Sequence, residues 1–273
     1  MNLGLIGFGN HLQNKIIDSF FRNKNINIKC FYSRDKTKSR KLEKKYRVEF
    51  IKDLKIFFQQ EIDLVYINVP PELHYNYIKQ CIKNKKNIIC EKPLTMNYLE
   101  AKYLYKLAEK NKLFLFEVCQ YTYHTHYKKV KEIILQDIAN KSSKNRYLYA
   151  SFKLPPQAND NYRMKSTNKE IIKYDLGYYP VSFIQKMFTN IKLSKVKEIN
   201  FMKKNFYKNI SFKSKEVSGI IEWGVGFQYS NEIAYFSDKI FISTERIFSK
   251  PSNYKPKINF IKNNNLKEII LKN

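Results

Sequence analysis

Over its first 120 residues the chain alternates short, almost wholly apolar runs with longer polar stretches of helical length. This alternation restricts the fold more than any other feature of the sequence. The runs Asn2–Ile6, Asn27–Tyr32, Val48–Ile51, Asp63–Asn68, Asn87–Cys90 and Lys112–Val118 read as strands. Between them, Leu12–Phe21, Lys36–Lys45, Leu54–Gln59, Pro71–Asn84 and Tyr98–Asn111 read as helices. Strands apolar on both faces are expected where helices cover both sides of a parallel sheet. Strand and helix in turn, joined by short connections, predict a doubly wound α/β domain of Rossmann type over residues 1–120.

Beyond Tyr127 the pattern changes. A helix at Tyr127–Leu135 leads into a polar loop, Asn140–Asn145, and then into strand-like stretches. These are Tyr147–Leu154, Val196–Phe206, Ile210–Gln228, Glu232–Phe236 and Ile240–Ser243, with one helix near Tyr179–Phe188. Residues 121–273 are therefore expected to form an α+β domain on an open, mostly antiparallel sheet, with a substrate-binding role. Asn263–Asn265 reads as a turn, and there is no internal repeat.

The 273 residues, 43% hydrophobic and 15% aromatic, suffice for two packed domains. No apolar run approaches the roughly 20 residues of a membrane helix. The opening MNLGLIGFGN lacks a basic leader region and reads as a first strand rather than a signal peptide. Cys30, Cys81, Cys90 and Cys119 show no CxxC spacing and lie in or beside apolar segments. They are expected to be reduced, buried thiols of a cytoplasmic protein, with no metal site. The net charge of +27 raises the question of a nucleic-acid partner. The excess is lysine scattered along the chain, with only seven arginines. Arginine is the residue that reads base edges and grips phosphate through two bonds. The charge is therefore read as compositional bias, and no nucleic acid and no membrane are expected as partners.

The first strand runs into Gly7-Phe8-Gly9-Asn10-His11-Leu12. A glycine turn between a first strand and a helix places backbone N–H groups beside a pyrophosphate. Gly7 permits the turn, Gly9 admits the phosphates, and Leu12 stands where the fingerprint has a third small residue. The second strand ends in Ser33-Arg34-Asp35. Ser33 and Arg34 suit a ribose 2′-phosphate, and Lys38, one turn on, adds charge. NADP is expected as cofactor, with NAD the alternative. The fourth strand ends in Asn68-Val69-Pro70-Pro71, followed by His74, and the fifth in Cys90-Glu91-Lys92-Pro93. Both ends fall on the carboxyl edge of the sheet, where open α/β sheets bind ligands. Asn68, Pro70, His74, Glu91 and Lys92 join the expected cofactor site, and Lys92 is placed to bind a substrate oxygen.

These motifs, together with Asp175-Leu176-Gly177-Tyr178-Tyr179-Pro180, resemble the glucose–fructose oxidoreductase/inositol dehydrogenase (Gfo/Idh/MocA) family as far as about Pro251. The resemblance implies an NAD(P)-dependent oxidoreductase acting on CH–OH or C=O of a sugar, with Lys92, Asp175 and Tyr179 as catalytic residues. Four residues apart, Asp175 and Tyr179 project from one face of a helix. A nearby ammonium favours the phenolate of a tyrosine and eases proton exchange near neutrality. His124 is expected to line the substrate pocket. Asn161-Tyr162-Arg163 and the segment from Gly226 to Pro251 resemble the subgroup of reductases for nucleotide-linked keto-sugars, which implies that Arg163 touches the substrate. The resemblance also implies a homo-oligomer. Two departures stand against it: Asn168–Lys173 replaces a usual glycine-rich run, and the chain stops soon after Pro251, shortened at the C-terminus. They keep open an alternative, a non-catalytic dinucleotide-binding sensor or partner protein.

Overall fold

The structure is a computed structural model in which residues 1–158, 170–201, 205–251 and 253–271 are described. The chain divides into two compact units, Met1–Val118 and Cys119–Asn273.

In the first unit, strands β1 (Asn2–Ile6), β2 (Asn27–Tyr32), β3 (Glu49–Ile51), β4 (Leu64–Ile67), β5 (Asn87–Cys90) and β6 (Leu115–Glu117) form one sheet. Its order is β3-β2-β1-β4-β5-β6, with every neighbouring pair parallel. This is the doubly wound order of dinucleotide-binding domains. The connecting helices are α1 (Ile17–Arg22), α2 (Lys36–Tyr46), α3 (Leu54–Gln59), α4 (His74–Lys83) and α5 (Tyr98–Lys110). The first helix differs from expectation: Leu12–Ile16 winds as a π-type turn before α1 begins. Alternate residues of one strand feed two separate cores. Val65 and Ile67 pack in one cluster with Ile88 and Cys90, while Leu64 and Tyr66 pack in the other with Leu3, Leu5 and Phe31. Both faces are thus covered, as the continuous apolar runs require.

The second unit has helices α6 (Thr125–Ala139) and α7 (Ile171–Met187). Its strands are β7 (Tyr147–Leu154), β8 (Lys192–Asn200), β9 (Phe206–Lys213), β10 (Ser218–Val225), β11 (Ser230–Phe236), β12 (Ile240–Glu245), β13 (Lys257–Lys262) and β14 (Asn265–Ile270). The eight form a sheet of order β14-β13-β12-β11-β7-β10-β9-β8, antiparallel except for the β7–β10 pair. One core cluster serves it, taking Leu148, Ala150 and Phe152 from β7 and Ile221, Trp223 and Val225 from β10.

Three expectations need correction here. The stretch Ile210–Gln228 is two strands, because the Ser214 hydroxyl accepts from Glu216 N and Val217 N and turns the chain. Helix α7 starts at Ile171, well before Tyr179. It runs through Gly177 and Pro180, and Gly177 lies against Trp223, where a Cβ would come within 2.7 Å of the indole. The Asn263 run is a turn, but of a hairpin that the sequence reading missed. Asn263 and Asn264 have φ of 49° and 61° and join β13 to β14, the signature of a tight hairpin turn.

All four cysteines are buried and free, and burial pushes the Cys30 thiol up to about 12. Among the described residues no helix is long and apolar enough to cross a membrane.

Candidate active site

At the carboxyl edge of the parallel sheet, three chain segments converge. Strand β1 runs into Gly7, whose φ is +88° and whose N–H donates to Tyr32 O at 2.9 Å. A Cβ at Gly7 would lie 2.4 Å from Asn68 O, so only glycine fits. A Cβ at Gly9 would meet nothing within 4 Å. The turn is open on that side, which fits the approach of a pyrophosphate to the backbone. The Leu12 side chain is fully buried and serves the core, so only its main chain is available to a ligand.

At the end of β2, Ser33 is half-buried and Arg34 exposed. Asp35 is the N-cap of α2, accepting from Lys38 N at 2.9 Å. A carboxylate that an NAD-preferring site would aim at the ribose is here spent on a cap, an arrangement that stabilises a helix by about 1 kcal/mol. The Lys38 ammonium donates to Asn10 Oδ1 at 3.2 Å, which places a cation beside the glycine turn.

At the ends of β4 and β5, His11 Nδ1 lies 3.4 Å from Asn68 Oδ1 and 3.9 Å from Glu91 Oε1. The Glu91 carboxylate is buried and accepts from the Tyr66 hydroxyl. The structure therefore brings together Gly7, Asn10, His11, Lys38, Asn68 and Glu91. Lys92 follows directly, half-buried, with a cis bond to Pro93.

His74 takes a different role from the cofactor contact expected of it. Its ring is fully buried, with Nδ1 at 2.8 Å from Pro93 O and Nε2 at 2.9 Å from Val69 O. Both nitrogens thus face backbone carbonyls, one of which accepts from the single N–H of the neutral ring, and the ring sits between the loop after β4, which carries Pro70, and the loop that carries Lys92. Burial pushes its pKa down, against the pull of the two carbonyls.

In the second unit, Asp175 and Tyr179 lie one turn apart on α7, Asp175 buried and Tyr179 half-buried. The Tyr179 ring packs among Phe152, Phe248 and Tyr121, at centroid distances of 4.5, 5.8 and 6.4 Å. Tyr121 donates to Ser182 Oγ at 2.9 Å, and Ser182 donates to Tyr179 O at 3.1 Å, which ties down this turn of the helix. Pro180 leaves Leu176 O without the usual helical donor. His124 stands at the N-cap position of α6 without a side-chain cap bond, and its buried Nδ1 has no hydrogen-bond partner among the described residues. Burial, then Lys250, lowers its pKa. His126 is fully buried, its Nε2 at 2.6 Å from Thr244 Oγ1, and burial pushes it down to about 4. Arg163 lies outside the described residues. Among the described residues no group of three or more His, Cys, Asp or Glu is placed to hold a metal ion.

Sequence reasoning missed Tyr66 and the place of His74 between two loops. Tyr66 reads as one more apolar strand residue, and its single signal was a hydroxyl in an otherwise aliphatic run.

Residues 1–118 match the family model described as an oxidoreductase family with an NAD-binding Rossmann fold, Gfo/Idh/MocA. The chain is 21% identical over 218 residues to a dTDP-3,4-didehydro-2,6-dideoxy-alpha-D-glucose 3-reductase of Actinomadura kijaniata, covering 78% of this chain and 64% of that protein. It is 26% identical over 145 residues to a trans-1,2-dihydrobenzene-1,2-diol dehydrogenase of Xenopus laevis, covering 52% and 42%. In each case it spans less than two thirds of the relative's length. Among solved structures it resembles KijD10, a 3-ketoreductase of Actinomadura kijaniata crystallised with NADP and TDP-benzene. The TM-score is 0.88 at 17% identity, over 99% of this chain and 84% of that one. With the β3-β2-β1-β4-β5-β6 order, the open glycine turn and the Glu91-Lys92-Pro93 strand end, residues 1–118 of this chain resemble the NAD-binding Rossmann domain of the Gfo/Idh/MocA oxidoreductase family.

Proposed function

We propose that the protein is a cytoplasmic, NADP-dependent oxidoreductase that reduces a keto group on a nucleotide-linked sugar. The observation that carries the reading is the convergence of the open Gly7–Asn10 turn, Asn68 and the Glu91-Lys92 strand end at one edge of the sheet. The 3-reductases among the relatives and the NADP and TDP-benzene bound to KijD10 support the substrate class. The choice of NADP over NAD follows from the capping of α2 by Asp35 and from Ser33, Arg34 and Lys38 around the same strand end.

When bound, the nicotinamide cofactor would supply the hydride for the reduction. The glycine turn and the start of the following helix would hold its pyrophosphate, and Ser33, Arg34 and Lys38 would hold the 2′-phosphate. The Lys92 ammonium donates to the carbonyl oxygen and stabilises the negative charge that develops there as the carbon is reduced. In the second unit, Tyr179 is the residue assigned to supply the proton that completes the alcohol, regaining one from solvent. Asp175 accepts from a neighbouring sugar hydroxyl, and His124 lines the same sugar.

The test is a panel of nucleotide-linked keto-sugars assayed with NADPH and with NADH. Turnover is expected with NADPH and a thymidine-diphosphate keto-sugar. Lys92→Ala is expected to lower kcat by about 10³-fold while NADPH affinity stays within about threefold. Full turnover in Lys92→Ala would remove the mechanism.

A further inference from the structure

Tyr66 occupies an improbable place for a hydroxyl. It lies on β4, the centre of the parallel sheet, between Val65 and Ile67, and is 4% exposed. Its ring packs edge-on against Phe20 at 5.3 Å. A phenylalanine would fill this space without bringing a polar atom into the core. A buried phenol needs a partner, and Tyr66 finds it in Glu91 Oε1 at the end of the next strand. Burial, then the Glu91 charge, pushes the phenol far above its ordinary range, so it stays protonated and donates.

The same Glu91 oxygen is 3.9 Å from His11 Nδ1, and His11 reaches Asn68 Oδ1 at 3.4 Å. The glycine turn, the end of β4 and the end of β5 therefore meet at one carboxylate, itself only 6% exposed. Glu91 is also anchored by its backbone, donating from N to Ile67 O at 3.0 Å. Side chain and main chain are thus held by adjacent residues of one strand, Tyr66 and Ile67, which fixes where Lys92 leaves the sheet.

We propose that Tyr66 is a positioning residue for the dinucleotide: with His11 it fixes Glu91 as the seat of the ribose on the nicotinamide side. The inference rests on the cofactor reading above. A carboxylate offers about four acceptor sites, so a donor from within the sheet is compatible with a ribose hydroxyl donating to the same group.

The experiment titrates NADPH and 2′,5′-ADP, which lacks the nicotinamide riboside, into the full chain. Wild type, Tyr66→Phe, Glu91→Gln and the double variant are compared, each with its Tm. Tyr66→Phe is expected to weaken NADPH about 5–10-fold and to leave 2′,5′-ADP within about twofold, the loss of one hydrogen bond to a charged group. The double variant is expected to bind NADPH no more weakly than Glu91→Gln alone, because both changes act through one carboxylate. Unchanged NADPH affinity in Tyr66→Phe, or equal losses for both ligands with a falling Tm, would reduce Tyr66 to packing and overturn the proposal. Wild type binding neither ligand would overturn the cofactor reading itself, and this inference with it.

Discussion

The two sheets of this chain solve the same problem differently. The six-stranded sheet buries both faces, so alternate residues of β4 enter two separate cores, and its polar chemistry is pushed to the strand ends. The eight-stranded sheet buries one face in a single core. Its other face carries a polar network in mid-strand, where Glu222 accepts from the hydroxyls of Tyr149 and Tyr207 and pairs with Lys153. Three hydrogen-bonding partners outweigh the burial of Glu222 and hold its carboxyl below the usual range. A cavity of ≈ 380 Å³ opens on this outer face, lined by Tyr149, Glu232, Glu245, Lys257 and Glu268 among others, and by none of the expected site residues. In the first sheet polar residues at strand ends point to ligands. In the second, polar residues along strands serve the sheet itself.

The comparison breaks if a strand-end change in the first unit acts only on stability, or a buried carboxylate of the second acts on the cofactor. The largest effect is expected from Gly7→Ala. The new Cβ would meet Asn68 O at 2.4 Å in a backbone with φ of +88°, and neither atom is the end of a flexible side chain. The turn must open, and NADPH affinity is expected to fall by about 10³-fold, on the order of 4 kcal/mol. A titration showing less than a tenfold loss would mean the turn does not hold the cofactor.

Next in size is Asp137→Ala in the second unit. Asp137 is buried at the end of α6 and accepts from Tyr235 at 2.7 Å, Ser143 at 2.9 Å and Ser237 at 3.2 Å, with Arg146 Nε at 3.4 Å. Removing it strands Arg146, which also donates to the last carbonyls of α6. Chemical denaturation is expected to show a loss of about 3 kcal/mol, with NADPH affinity unchanged where the protein is folded. A variant as stable as wild type would show that this network contributes nothing net.

The same contrast explains what could be read from the sequence. Strands buried on both faces are continuous apolar runs, so β1 to β6 stood out, and their ends named Gly7, Asn68, Glu91 and Lys92 at once. The one-sided strands of the second unit alternate, and alternation hides turns. Ser214 looked like one more outward polar residue, so β9 and β10 merged. The β13–β14 hairpin was missed because β14 is mostly exposed, with Leu266 and Ile270 facing out. Helix α7 extends eight residues before the expected Tyr179 start, through Gly177, a residue of low helix propensity. The structure uses Gly177 as the notch for Trp223. The site's supports were the least legible. His74 was assigned to the cofactor because its motif lies at a strand end, yet contacts with the Val69 and Pro93 carbonyls cannot be inferred from spacing.

The smallest expected effect sharpens the view of the second sheet's edge. Strand β8 is exposed along all nine residues and carries Lys192, Lys195 and Lys197, the lysine-rich character that discourages edge-to-edge pairing. What ties it inward is Glu198, which pairs with Lys173 of α7 and, at 2.9 Å, with Lys208 of β9. The hydrogen bond from Lys173, then that from Lys208, lowers the Glu198 carboxyl to about 2. A depressed carboxyl stabilises the fold above its unfolded value and ceases to do so as pH falls through the folded one. The contribution of Glu198 should therefore be complete at neutral pH and decline between about pH 4.5 and 2. The residue is exposed and its side chain alone keeps a relative exposure of 26%, so solvent screening limits the gain to about 1 kcal/mol. Glu198→Gln is expected to lower the urea midpoint slightly at pH 7 and to converge with wild type at about pH 2 and below. High salt should shrink the difference at pH 7. A gap between the two proteins that widens on acidification would show that the lysines do not hold the carboxylate, and that β8 is kept in place by its ladder to β9 alone.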